Sequence, residues 1–429
     1  MSLTLLFGGQ GHQFPITLNF EISRSYHYGS VDLPYSINLV ALPIPGIIPG
    51  EVVVDPGIIP TPSDIIKPKA YVMWRDYDPD VGVYQWQYLS TAYAFNISNS
   101  KSNVIGSFSV TIDKAELYNS RVWVSGHLDD YGILGPHRYK RLQIYYSSNN
   151  GISYELLFEG FANRKPETYS FGGNNYITLS GTSIATEMNT VYFESYEDAT
   201  GSKYSGNADG ILNYYLAKIF GGRDIISGSY YVNTNSLYDW TEQDFAYKTA
   251  LAAVNDIVKI VGTQLWHYMD YSGGVTNYFV GNRPSDFLTS LSYNDSQIIS
   301  FETDDVLGIT TRCEVIGVDE NASTYQEAVG DYTNKHGINN LTISSGLIKN
   351  LTEAARLASN IISDAQEMEK NFKITTILNS DIGIRKFVTI NSTEATLAAT
   401  GCPIYEYQHS YQYGSMPTTT FSAYIGKES

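Results

Sequence analysis

The groups in this 429-residue chain that could do chemistry are 44 acidic residues, seven histidines and two cysteines. In Asp76-Tyr-Asp78-Pro-Asp80-Val-Gly82, alternate carboxylates on a tight turn resemble the opening of a calcium loop, where they converge on one hard cation. The match fails in detail. Glycine comes one place late, Pro79 lies inside the loop, and Gln87 stands where the bidentate glutamate belongs, so the segment reads as a solvated acidic turn. His127, Asp129, Asp130 and His137 sit close together, yet no second ligand cluster accompanies them, and a polar turn is the simpler reading. The sequence has no H-E-x-x-H pair and no G-x-S-x-G elbow. Gly8-Gly-Gln-Gly-His12 lacks the lysine and helix of a phosphate loop. Asp304 and Asp305 are a carboxylate pair of the kind glycoside hydrolysis uses, but 44 acids supply such pairs by chance. The expectation is therefore a non-enzyme, with no catalytic, cofactor-binding or metal-ligating residues.

Cys313 and Cys402 are too far apart for a zinc pattern or a disulfide framework, which leaves one bridge open. Six N-x-S/T sequons, at Asn96, Asn294, Asn321, Asn340, Asn350 and Asn391, fit an exposed β-rich surface, and an Asn-, Ser- and Thr-rich composition generates them without glycosylation. His137-Arg-Tyr-Lys-Arg141 is the one basic knot in an acidic chain; as a contact it suits an acidic neighbour. The net charge of -17 leaves no basic half to grip a phosphate backbone, which excludes stable electrostatic nucleic-acid binding. The apolar run at 37–60 is cut by Pro43, Pro45, Pro49 and Pro56 and carries Glu51 and Asp55, so no helix there spans a membrane. The first seven residues lack the basic flank and length of an export signal.

The length suggests two to four compact units. Residues 31–70 hold 8 of the 15 prolines, including Pro45-Gly-Ile-Ile-Pro49 and Pro56-Gly-Ile-Ile-Pro60, and read as an extended arm. Its isoleucines must dock, on their own chain or on a partner subunit. Residues 71–190 read mostly as strands: Tyr71–Trp74, Val83–Tyr88, Ser107–Ile112, Arg121–Val124, Leu142–Tyr146, Tyr154–Phe158 and Tyr176–Leu179. Apolar spacing predicts helices at 209–220, at 241–261 from a Thr241 cap, and at 352–370. Strands return at Gln297–Phe301 and Thr311–Val318, and again after the third helix.

Leu157-Phe-Glu-Gly160-Phe-Ala, then Tyr176-Ile-Thr-Leu-Ser-Gly181 and Ile184–Met188, resembles the first barrel of tail baseplate hub proteins. Helix 241–261, Gln264-Leu-Trp266-His-Tyr-Met-Asp270 and Tyr278-Phe-Val-Gly281 are similar to the family's middle domain. Ile298–Phe301 with Arg312–Gly317 is similar to the strand pair opening its second barrel. Ile404-Tyr-Glu-Tyr-Gln-His409 and Gly414-Ser-Met-Pro-Thr418 onward resemble the family's closing strands. Relatives include the late control protein D group, the hub part of type VI secretion spike proteins and the N-terminal part of tail-associated lysins.

The resemblance implies a mainly β protein with an α+β middle domain, two β-barrel-like hub domains related by internal duplication, and a Pro-rich insertion. Its expected division is 1–30 with 96–195 (first barrel), 31–95 (arm), 196–296 (middle domain) and 297–429 (second barrel with helix 352–370), residues 320–350 being a second insertion. The function it implies is a structural tail hub in a virion tail or baseplate. That hub is a homotrimeric ring contacting tail tube, distal tail or baseplate, and tip or spike proteins, with no cofactor and no membrane insertion at rest. An extracellular glycan-binding, adhesin-like β protein is the rival reading.

Overall fold

The computed structural model describes residues 2–7, 14–20, 37–38, 69–78, 83–113, 141–162, 176–189, 206–220, 226, 228–233, 239–240, 249–261, 267–281, 290–305, 309–328, 332–367, 370–394 and 397–425. The chain divides into two compact units, 1–65 and 66–429. In the first, β1 (Ser2–Phe7), β2 (Phe14–Phe20) and β3 (Ile37–Asn38) form an antiparallel sheet of their own, with Ser2 opposite Asn19 and Phe7 opposite Phe14. Residues 1–30 were expected in the first barrel. Strands this close in sequence pair locally at a small loop-closure cost. The two Pro-Gly-Ile-Ile-Pro repeats lie outside the described residues.

The second unit opens with β4 (Lys69–Asp78), β5 (Val83–Ser100), β6 (Asn103–Asp113), β7 (Arg141–Ser147), β8 (Glu155–Ala162) and β9 (Tyr176–Ser183). A middle module follows: β10 (Gly206–Asn207), α1 (Ala208–Phe220), β11 (Tyr230–Asn233), β12 (Asp239–Trp240), α2 (Ala250–Val261), β13 (His267–Asp270) and β14 (Asn277–Gly281). Then come β15 (Ser290–Asn294), β16 (Ile298–Asp305), β17 (Arg312–Ile316), β18 (Thr324–Glu327), α3 (Tyr332–His336), β19 (Asn340–Ser344) and α4 (Leu351–Glu367). The last strands are β20 (Lys370–Ile377), β21 (Phe387–Ser392), β22 (Leu397–Gln412) and β23 (Thr418–Ile425).

Strands β5-β4-β7-β8-β9-β6 are hydrogen-bonded in that order, and β6 returns to β5, so six strands close a ring with no free edge. Alternation drives the closure. Along β6, Val104, Phe108, Val110 and Ile112 turn inward and pack with Val72, Ile97, Ile144 and Phe158. Strands β8 and β9 approach closely at Gly160 and Gly181, where a Cβ would strike the carbonyl oxygens of Thr182 and Phe161 respectively. Residues 69–78 and 83–95 thus belong to the barrel rather than to the arm. Their β-branched and aromatic runs pair with β7 and β6, and the barrel cannot close without them.

A second set of six strands runs β15-β21-β22-β23-β20-β16. Its two end strands are consecutive in the chain, joined by one 3-10 turn at Asp295–Gln297 that Asn294 caps. Its own core gathers Tyr293, Phe372, Ile374, Ile390, Ile404 and Phe421.

Strand β17 does not open this second set. It pairs antiparallel with β18 and parallel with β19 in a separate three-stranded sheet. Helix α4 covers one face of that sheet: Cys313, Val315 and Ile343 join Leu357, Ala358 and Ile361 in one core. A strand carrying alternate buried residues needs an apolar cover, and α4 supplies it nearby in sequence. Within the expected insertion at 320–350, β18 and β19 therefore complete a small α/β layer.

Helix α1 buries Ile211, Leu212, Tyr215, Leu216 and Ile219 as the spacing predicts. Helix α2 begins at Ala250 rather than at 241, because Thr249 before it is not helical and its Oγ1 accepts from the Ala252 N–H at 3.1 Å; Thr241 lies outside the described residues. Helix α4 starts one residue before its expected position and ends at Glu367, with Lys370 already in β20. Cys313 and Cys402 are buried in different cores, so no disulfide joins them.

Candidate functional site at the barrel junction

Two long strands fuse the β systems. The first half of β5 pairs with β4 and the second half with β6, while its outer edge from Ala94 to Ser100 pairs with Gln412 to Glu406 of β22. Strand β22 in turn pairs with β21 through its first half and with β23 through its second. Eighteen and sixteen residues are long for strands, and the extra length lets each pair within its own strand system and with the other at once.

The middle module is a keystone between the two cores. Strand β14 is buried along its whole length between parallel β11 and antiparallel β13. Strand alternation sends Tyr278 and Val280 into the core shared with the first barrel and sends Phe279, with Tyr268 stacked on it, into the second. Tyr278 Oη is hydrogen-bonded to His267 Nδ1 at 3.0 Å. Burial pulls the His267 imidazolium down to about 4 and pushes the Tyr278 phenol up, so both groups are neutral at physiological pH.

A buried ion pair ties the first barrel to this keystone. Arg141 on β7 donates to Glu159 on β8, and the Thr276 hydroxyl, just before β14, donates to the other carboxylate oxygen. Glu159 is fully buried and Arg141 is 5% exposed. Tyr271 donates to the Glu159 carbonyl oxygen at 3.5 Å, and the Arg141 guanidinium lies 5.4 Å from the Trp86 ring centre. At the opposite corner, the β5–β6 hairpin docks on the second strand set. Lys101 N–H donates to the Tyr405 carbonyl at 2.7 Å and its ammonium lies 5.8 Å from the Tyr424 ring centre. Burial draws Lys101 down to about 8, against the opposing charge of Asp364 on α4 and with a further push from Arg385.

The expected chemical groups are scattered. Asp76 and Asp78 end β4, and Asp80 lies outside the described residues, as do Gly8–His12, His127, Asp129, Asp130, His137 and Trp266. Asp304 and Asp305 end β16 opposite Asn371 and Lys370. His409 is buried on β22 and bonded to Thr419 at 2.8 Å, its pKa drawn by burial to about 3. All six sequon asparagines are exposed, and Asn350 caps α4 by accepting from the Glu353 N–H at 3.0 Å. Among the described residues no three His, Cys, Asp or Glu side chains gather to hold a metal, and no helix is long and apolar enough to cross a membrane.

Sequence reasoning missed the Arg141–Glu159–Thr276 network. One signal was present: Glu159 is a lone acid inside the apolar strand Leu156–Phe161, where an unpaired carboxylate would be prohibitively costly.

No protein-family model matches this sequence, and no curated protein matches it. Solved structures do match. The fold is similar to that of a tail protein from Neisseria meningitidis MC58, with TM-score 0.55 and 11% identity, covering 83% of this chain and 96% of that one. It is also similar to a tail protein of prophage MuSo2 from Shewanella oneidensis, with TM-score 0.51 and 10% identity, covering 82% and 98%. The chain thus shares a tail-protein fold across most of its length.

Proposed function

We propose that this chain is a structural tail hub of a tailed virus or a related injection particle, a trimeric ring at the distal end of the tail tube. The observation that carries the reading is the fusion of a closed six-stranded ring to a second six-stranded set through β5 and β22, in a fold similar to two tail proteins. With two such β units per chain, three copies present six, which is what an adaptor between a sixfold tube and a threefold tip requires. The net charge of -17 suits a wall past which DNA must slide without sticking. Its partners in this reading are the tail tube protein, distal tail or baseplate proteins and a tip or spike protein. Its place is the virion tail, and its role is structural.

Electron microscopy of the intact particle tests it. Threefold density for this chain on the tail axis, at three copies per tip, is the expected result. An off-axis location or another copy number overturns it, and specific retention on a glycan array would turn the assignment to the adhesin reading.

A further inference from the structure

We propose that one end of the fused β systems, formed by the β7–β8 hairpin tip and the β22–β23 turn, is the surface on which a different, adjoining tail protein seats an uncharged apolar face. Ile152 at the hairpin tip is 85% exposed, and Tyr154, Tyr176, Ile377, Tyr413 and Met416 are 36% to 63% exposed. Strand pairing brings them to the same end. Lys69 lies opposite Ser147 at the base of the hairpin, and Tyr71 lies opposite both Tyr145 and Thr91, so the hairpin rises beside residues 91–93 of β5. There the Tyr413 N–H donates to the Tyr93 carbonyl at 2.7 Å, and the Tyr93 ring centre lies 4.6 Å from that of Tyr176 and 6.2 Å from that of Tyr413. Glu155 accepts from the hydroxyl of Ser380, just past Ile377, and the Leu378 N–H donates to the Pro417 carbonyl at 2.9 Å, which sets Ile377 beside Met416.

The hairpin tip is built to hold its isoleucine out. Asn150 and Gly151 have φ of 63° and 85°, the left-handed pair of a tight turn. Ser147 Oγ accepts from the Gly151 N–H at 2.9 Å, and Asn149 Oδ1 accepts from the Ser153 N–H at 3.0 Å. Tyr154 is anchored beneath on Tyr71, their ring centres 4.6 Å apart. A projection ordered before contact forfeits little entropy on binding. Area and charge select the occupant. At about 200 Å² for a whole side chain of this size, the six exposures leave roughly 700 Å² open, more than a monomer usually leaves in one patch and close to the share of about 800 Å² that each partner brings to a stable interface. Ser147–Tyr154 and Gln412–Pro417 carry no charged side chain in a chain of net charge -17, and their Tyr, Ser, Asn and Gly content is that of protein-recognition loops. The matching surface is therefore uncharged protein. Docked on its own copy, the rim would make an isologous pair of chains or of rings, whereas a tail continues from one ring to a different one. The proposal deepens the hub reading above and rests on it.

Photo-crosslinking in the assembled particle tests the contact. With Tyr154→p-benzoylphenylalanine in the full chain, irradiation followed by peptide mass spectrometry should join position 154 to a different tail protein. Ile152→Asp with Met416→Asp should lower incorporation of the chain into particles about tenfold at an unchanged melting temperature, since both side chains are exposed. Should the double variant melt lower, Ile152→Ser alone, at the turn tip, carries the same comparison. Tyr325→Ser, which removes an equally exposed tyrosine from the β17 sheet, is the control and should incorporate like the native chain. A crosslink only to another copy of this chain overturns the proposal, as does the absence of any crosslink to protein. So do native incorporation of the rim variants and an equal loss in the control. Retention on a glycan array that Tyr154→Ala abolishes overturns it in favour of a saccharide. Threefold density on the tail axis combined with any of these results would leave the hub reading standing and remove only this contact, whereas a chain absent from the tail would end both.

Discussion

Arg141 and Glu159 are diagonal neighbours on the β7–β8 ladder, Arg141 lying opposite Phe161 and Glu159 opposite Gln143, and their buried charges meet where the Thr276 hydroxyl also arrives. The pair therefore reports on the seam between the first barrel and the middle module. Glu159→Gln leaves a guanidinium buried without a counter-charge and should cost about 3 to 5 kcal/mol in urea denaturation. The double change Arg141→Met with Glu159→Leu removes both charges and should recover most of that loss. A single variant as stable as the native chain would show that the seam does not depend on the pair.

Gly160 and Gly181 allow β8 and β9 to close the barrel, because a Cβ at either would meet backbone oxygen rather than a movable side chain. Gly181→Ala should destabilise by about 1 to 3 kcal/mol or more. Gly346→Ala, where nothing lies within 4 Å of the added carbon, is the control and should be close to neutral. Thermal melts of the two variants give the comparison.

Stability should fall in mild acid for a stated reason. His267 and His409 have folded pKa values of about 4 and about 3, depressed below the unfolded value by burial. Their contribution is fully present above the unfolded value near 6.5 and is lost as pH falls toward the folded values, because the unfolded chain takes up the protons first. Each histidine supplies a slope of about 1.4 kcal/mol per pH unit at its limit below pH 6. His409→Asn should reduce the slope of unfolding free energy between pH 6 and 5 by roughly half of the histidine part. An unchanged slope would falsify the assignment of His409 as buried and neutral.

Asn350 accepts from the Glu353 N–H and so caps α4, the helix that covers the β17 sheet. Asn350→Ala should cost about 1 kcal/mol, and Asn350→Asp much less. Equal losses for both substitutions in chemical denaturation would rule out the capping role.

Residues 66–429 form a compact unit in which the barrel and the second strand set complete their ladders. Expressed without residues 1–65, this segment should fold cooperatively with a β-rich circular dichroism spectrum. If it does, the arm is free to serve in assembly. Its four repeat isoleucines would contribute about 6 to 12 kcal/mol to a partner contact before ordering costs. A segment that fails to fold would assign the arm to its own chain's core.

The sequence by itself determined what depends on local periodicity. The apolar face of α1 from Ile211 to Ile219, the alternation along Ser107–Ile112 and the return to strand after α4 all follow from 3.6- and 2-residue spacing, which neighbouring side chains express directly. Partnership was decided elsewhere. That β17 pairs with β18 and β19 rather than with β16, that β4 and β5 complete a barrel, and that β5 and β22 join two β systems depend on contacts up to hundreds of residues apart. A strand's sequence says which side is apolar but not which apolar surface will cover it. The Arg141–Glu159–Thr276 contact shows the same limit, since only the packed fold brings a hydroxyl 117 residues away to a buried carboxylate.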